Sequence, residues 1–140
     1  MIVVPRSILL DAEPLSALAA GARTMQAWAA VARRTDAVLY ASTVTLAEVA
    51  DGSQRDVHLR QIVKAVRLTD VDPHLGFTAG RLRPAAASAP RKARDLTVDS
   101  VVAATATTLP PPVVVLTSDP HDLELLLSGT EIAVERIPSS

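Results

Sequence analysis

Two carboxylates end apolar runs where a parallel sheet would place chemistry. Asp11 closes Ser7-Ile-Leu-Leu-Asp11, and Asp119 stands in Thr117-Ser-Asp119-Pro120 directly after Val113-Val-Val-Leu116. Runs of this length are consistent with buried parallel strands, although periodicity alone does not separate them from buried helix. Ligands bind beyond the carboxyl ends of strands in an open parallel sheet, so an acid there can hold a metal or transfer a proton. Glu48, in Thr45-Leu-Ala-Glu48-Val, and Asp99, in Asp99-Ser-Val-Val-Ala-Ala, lie inside apolar helical stretches. If all four acids meet at one edge, their like charges need a neutralising partner. Hard oxygen donors suit Mg²⁺ or Mn²⁺. Each acid also has a structural reading. Asp11 and Asp119 can cap helices, Thr45-x-x-Glu48 fits a capping box, and Asp99 suits a first-turn dipole position.

Other chemistries find little support. There is no HExxH, no glycine-rich phosphate loop and no GxSxG. His58, His74 and His121 follow no zinc-ligand spacing, and surface placement is the reading for His121. The absence of cysteine removes disulfides, thiolate metal sites and cysteine nucleophiles, and fits a reducing, cytoplasmic setting. No signal peptide or membrane-spanning run is read. A net charge of -1 argues against a nonspecific polycation, and one Trp, one Tyr and one Phe leave little for base stacking. A nucleic acid would be held mainly through phosphate and shape.

The elements that must position these acids can be read in order. At 140 residues, 49% apolar and 21% charged, the chain predicts one domain over 1–140 with its own core. After Asp11 comes a helical region over 14–34 that Gly21 divides in two, with Met25 and Trp28 on a shared face and Arg33-Arg34 at its end. A strand is predicted over 37–41, then a helix from Ser42 interrupted at Gly52-Ser53 and resumed over 54–64. Val66-Arg-Leu-Thr69 reads as an edge strand, followed by a helix from about Pro73 to Leu82. Residues 84–94 read as an exposed basic loop. An alanine-rich helix to about Thr107, the valine strand, a helix from Pro120 and a closing strand over 132–137 complete an α/β three-layer sandwich with right-handed crossovers.

With the order in view, Ile-Leu-Leu-Asp11, Thr-Leu-Ala-Glu48-Val, Asp99-Ser-Val-Val-Ala-Ala-Thr-Ala and Val-Val-Leu-Thr117-Ser-Asp119-Pro-His-Asp122-Leu resemble the PIN-domain family. The likeness is to VapC-type toxins of bacterial toxin–antitoxin modules, and it covers nearly the whole chain. It implies a five-stranded parallel sheet of order 3-2-1-4-5 between helices, and a Mg²⁺- or Mn²⁺-dependent ribonuclease. The expected partners are RNA, a cognate antitoxin whose tail occupies the active-site groove, and a second copy in a homodimer. Asp11, Asp99 and Asp119 would hold the ion, and Glu48 would orient it, its water or a second ion. Water attacking in line would leave 5′-phosphate and 3′-hydroxyl ends. Thr117 supplies the hydroxyl beside the last acid. Asp95 and Asp122 are auxiliary acids, read here as a helix cap and a first-turn residue. Many relatives carry Ser or Thr after the first aspartate. This chain has Ala12, so a second hydrogen bond to Asp11 is missing or comes from elsewhere, with Ser42 a candidate.

Arg91, Lys92 and Arg94, with Arg81 and Arg83, are the expected RNA-binding group, and Arg6, Arg23 and Arg55 the reserve. Surplus apolar residues over 14–34 motivate the homodimer. Two alternatives stand beside the ribonuclease. One is another metal-dependent phosphate hydrolase, although Asp11-Ala12-Glu13 lacks the second aspartate of an aspartyl-phosphate motif. The other is a non-catalytic binding or oligomerisation module in which the acids are caps and surface charges.

Overall fold

The structure is a computed structural model that describes residues 4–86 and 96–138. Arg91, Lys92, Arg94 and Asp95 lie outside the described residues. Five parallel strands form one sheet: β1 Ser7–Leu10, β2 Val38–Ser42, β3 Arg67–Thr69, β4 Val113–Thr117 and β5 Ala133–Arg136, in the order β3-β2-β1-β4-β5. The helices among the described residues are α1 Ala12–Ala19, α2 Arg23–Thr35, α3 Thr43–Val49, α4 Asp56–Ile62, α5 Pro73–Ala86, α6 Thr97–Thr108 and α7 Pro120–Leu126.

Each central strand is buried on both faces, and its side chains alternate between two cores. Ile8, Leu10, Leu39, Ala41, Val114 and Leu116 face one side, where Leu15 and Leu18 of α1, Met25 of α2 and Leu59 of α4 pack. Leu9, Tyr40, Val113 and Val115 face the other, against Val102, Ala103 and Ala106 of α6 and Leu123 and Leu126 of α7. The strand order follows from this division. The first two crossovers, through α1 to α4, cover one face as the chain moves from β1 to β2 to β3. The chain then returns through α5 and α6 to β4 and through α7 to β5 on the other face, so the winding reverses between β1 and β4. Gly21, at φ +76°, makes the left-handed turn that separates α1 from α2.

Three expectations are corrected. The helix from Pro73 continues through Pro84 to Ala86 rather than stopping near Leu82. Pro84 has no N–H to give the Gly80 carbonyl, but Gly80 is exposed and water can serve it. The capping box at Thr45 does not form. Ser42, at the strand-to-helix boundary, caps α3 by accepting the Val44 N–H at 3.1 Å, so Thr45 lies inside the helix. The apolar residues over 14–34 are not surplus either: Leu15, Leu18, Met25 and Ala32 are buried, and Trp28 packs partly against the same core.

Candidate active site

Parallel pairing of β1 with β4 brings the two strand-ending acids together. Leu10 is in register with Leu116, and the Asp11 amide extends the ladder by donating to the Leu116 carbonyl at 3.0 Å. Asp11 therefore leaves the sheet beside Thr117. The buried Thr117 hydroxyl donates to Asp11 Oδ2 at 2.8 Å and accepts the Asp119 N–H at 3.1 Å. One side chain thus orients the first carboxylate and the backbone of the last.

The capping readings fail for both acids. Asp11 and Asp119 occupy the N-cap positions of α1 and α7, yet neither side chain makes a capping hydrogen bond. The hydrogen bond to Asp11 comes from Thr117, not from Ser42, whose oxygen caps α3. That corrects the sequence-based candidate and shows how Ala12 is tolerated.

Asp99 lies in the first turn of α6, where the helix dipole favours negative charge. Its carboxyl is nonetheless pushed up to about 6, by burial first and then by Asp11, Asp122, Glu48 and Asp119 in turn. The Glu48 carboxyl is raised too, by desolvation and then by Asp11, even though the residue is largely exposed near the end of α3. The four expected acids therefore share one electrostatic neighbourhood, with Asp122 as a fifth. Asp122 is a first-turn residue of α7, as expected. The N-cap position of α6 falls on Leu96.

Sharing a field is not the same as closing a coordination shell. Among the described residues, no group of three or more acids or histidines is drawn together tightly enough to hold a metal ion. The donor set still fits a hard cation. It consists of oxygens only, and among the described residues the charges that raise the proton affinity of Asp99 are carboxylates. Mg²⁺ keeps several of its waters and commonly takes only one or two carboxylates directly, so a looser acidic edge is compatible with it.

No family model matches this sequence, and no curated protein is similar to it. Solved structures are. A chain of VapBC2 from Rickettsia felis, crystallised bound to a DNA fragment from the promoter, superposes with a TM-score of 0.67 at 13% identity, over 94% of this chain and 98% of that one. A chain of FitAcB from Neisseria gonorrhoeae gives a TM-score of 0.61 at 22% identity, over 91% and 95%. The fold is PIN-like.

Beside Glu48 a cleft of about 660 Å³ opens between α1 and the α3–α4 segment. Ala12, Ala19 and Leu59 contribute apolar surface, and Glu13, Glu48, Asp51 and Asp56 contribute acids. Arg55 and His58 also line it. The Arg55 charge is already engaged: its Nη2 lies 2.6 Å from Asp51 Oδ2. Hydrogen bonds from Ser53, together with that guanidinium, hold the Asp51 carboxyl down at about 2. Asp56 receives the Asp51 and Gly52 amides at 3.2 and 2.9 Å. The cleft is therefore acidic on balance. Sequence reasoning missed it, apart from Glu48 and the reserve role given to Arg55. The three-residue spacing of Arg55 and His58 puts them on one face of α4, but only the fold reveals that α1 lies opposite.

Arg81 and Arg83, the additional members of the expected RNA-binding group, each make a hydrogen bond to a neighbouring threonine. Arg81 Nη2 donates to Thr78 Oγ1 at 3.2 Å, and Arg83 Nη1 donates to Thr97 Oγ1 at 2.8 Å, tying the end of α5 to the start of α6.

Proposed function

We propose that this chain is a metal-dependent endoribonuclease and the toxin of a toxin–antitoxin module. What supports the reading is the field around Asp99, raised by burial and by Asp11, Asp122, Glu48 and Asp119, in a sheet whose winding reverses between β1 and β4, beside Asp11. A purely structural set of acids has no reason to collect at the point where an open sheet binds ligands. The motif resemblance and the fold shared with VapBC2 favour the same assignment.

Asp11, Asp99 and Asp119 would hold Mg²⁺ or Mn²⁺, with Glu48 aiding from the cleft side. The bound ion would supply an activated water and charge neutralisation at the phosphoryl oxygens. The chain's own part begins with Thr117, which fixes Asp11 Oδ2. RNA phosphate would be repelled by the bare acidic edge, so the substrate backbone needs further cations, and Arg91, Lys92 and Arg94 remain the candidates in sequence.

The acidic cleft with its apolar lining suits a cationic, amphipathic protein segment better than a polyanion, which supports an antitoxin as the partner there. Among the described residues no helix is long and apolar enough to cross a membrane.

Cleavage of single-stranded RNA with and without Mn²⁺ tests the proposal. Asp11→Asn and Asp119→Asn should each abolish turnover at saturating Mn²⁺ while the thermal transition persists. The loose spacing of the acids also favours a second reading, a non-catalytic binding module. Calorimetric titration with Mn²⁺ separates the two, because a binding module shows no carboxylate-dependent site.

A further inference from the structure

Strand register extends the acidic edge in both directions. Leu9, Tyr40 and Val115 face the core beneath α6, so the alternation of strand side chains puts Asp11, Ser42 and Thr117 on that face too. Leu9 is in register with Tyr40, which carries Asp11 beside Ser42 two residues on, and Ser42 is in register with Thr69 of β3. In the other direction Asp11 leaves the sheet beside Thr117, and Thr117 is in register with Arg136 of β5. One row therefore crosses the carboxyl end of the sheet: Thr69, Ser42, Asp11, Thr117 and Arg136. Its first members are hydroxyls, its centre is an acid, and its far end is a cation.

Arg136 is fixed in the row by its neighbour. The Ile137 N–H donates to the Thr117 carbonyl at 2.7 Å, and the Ile137 side chain is buried in the opposite core. Alternation then turns Arg136 to the face that Val134 shares with α6 and α7, and turns Glu135 away from it. With parallel strands about 4.8 Å apart, the Arg136 backbone stands roughly 5 Å from Thr117 and roughly 10 Å from Asp11. The side chain is exposed. The one ion pair among the described residues is Arg55–Asp51, so the Arg136 guanidinium is not engaged there by Asp11 or Asp119.

We propose that Arg136 binds an RNA backbone phosphate, the one next to the phosphate being cleaved. The inference rests on the nuclease reading and adds to it a residue outside the Arg91, Lys92 and Arg94 group. Acids that hold a hard cation repel the rest of a polyanion, so a strand laid across this edge needs a positive charge just beyond them. Arg136 stands at that point, two strand spacings from Asp11, where it meets the neighbouring phosphate and not the scissile one. Its planar fork can take two phosphate oxygens at once, which fixes the strand's direction as well as its position. An edge-strand arginine that only deters pairing with other strands would make no such contact.

Binding of a short single-stranded RNA, followed by anisotropy in Ca²⁺ over a range of salt, tests the proposal beside cleavage in Mn²⁺. Thermal melts confirm that each variant is folded. Arg136→Gln should weaken binding about 10-fold and lower the salt slope by about 0.7, the loss of one phosphate contact. KM should rise by a similar factor while kcat stays within about twofold of wild type, because the contact is made equally before and during reaction. Arg136→Lys should restore the slope but only part of the affinity, since it keeps the charge without the fork. Arg33→Gln, at the end of α2 on the other side of the sheet, should change neither. Mn²⁺ affinity by calorimetry should match wild type in all three variants. An unchanged salt slope in Arg136→Gln overturns the assignment, and so does a loss of Mn²⁺ affinity, which would make Arg136 a support for the acids. RNA held through Arg136 but never cut removes the nuclease reading and keeps the phosphate site. Cleavage indifferent to Arg136→Gln does the reverse, and a chain that neither binds nor cuts RNA removes both.

Discussion

Replacing Asp99 with asparagine removes a carboxyl that burial and four acidic neighbours hold at about 6, against an ordinary value of 3.8. Two decades of raised proton affinity correspond to about 3 kcal/mol at roughly 1.36 kcal/mol per decade. Solvent reaches this half-buried side chain, and screening reduces the figure to about 1–2 kcal/mol. Loss of a first-turn negative charge opposes the gain by about 0.3–1 kcal/mol, leaving a net stabilisation near 1 kcal/mol at neutral pH. The sign follows from proton binding. Between pH 3.8 and about 6 the native chain retains a proton that the unfolded chain has released, so wild-type stability falls as pH rises through that window. The asparagine variant lacks this decline, and the two proteins should converge below pH 4. Urea titrations at several pH values provide the assay, and the melting temperature should differ by about 3–4 °C at neutral pH. Mn²⁺ at a hundredfold excess over its dissociation constant should then add about 2.7 kcal/mol to the wild type alone and reverse the ranking. If the variant is no more stable than wild type at neutral pH, or its advantage persists unchanged into acid, the carboxylates do not share a field and the argument fails.

Three other outcomes follow from the same geometry. Thr117→Val removes the 2.8 Å bond to Asp11, and Mn²⁺ affinity by calorimetry should fall roughly 10- to 100-fold, the usual consequence of losing a residue that orients a ligand; unchanged affinity would place Asp11 outside the ion's reach. Thr45 is fully buried and its hydroxyl has no partner among the described residues, so Thr45→Val should raise stability in urea by about 1 kcal/mol; a loss of that size instead would reveal a partner for the hydroxyl. Alanine at Arg91, Lys92 and Arg94 together should weaken RNA binding across sequences and reduce the salt slope by about 0.7 per lost phosphate contact on single strands, with Mn²⁺ binding untouched. An unaltered slope would mean that the groove draws its cations from elsewhere.

The centre of the sheet was legible because its strands are pure apolar runs. Ile8 to Leu10 and Val113 to Leu116 have no amphipathic reading, and a carboxylate or hydroxyl ends each one. What local pattern could not decide is which of two competing signals wins. Ser42 and Thr45 are both plausible caps, and the choice falls to the residue still in extended backbone at the end of β2. Pro84 looks like a stop from sequence, but near the end of a helix it costs a bond that water can replace. Surplus apolar content over 14–34 looked like an interface because the sequence cannot say how much sheet surface there is to cover. The exposed Phe77 lies instead on α5. The acids were visible one at a time; the field they share at Asp99 was not, since for Asp11 and Asp119 it depends on β1 and β4 being neighbours.

The hydrogen bond from Thr117 to Asp11 spans 106 positions of the chain. Asp11 lacks this hydrogen bond until β4 docks beside β1. The acidic site is therefore assembled only after β4 has been made, since non-local pairing must wait for both segments to exist. For a chain proposed to cut RNA, this order has a consequence at the ribosome. The nascent polypeptide would lack the assembled site until β4 has been made, and a product truncated before residue 113 should carry the first acid without the site.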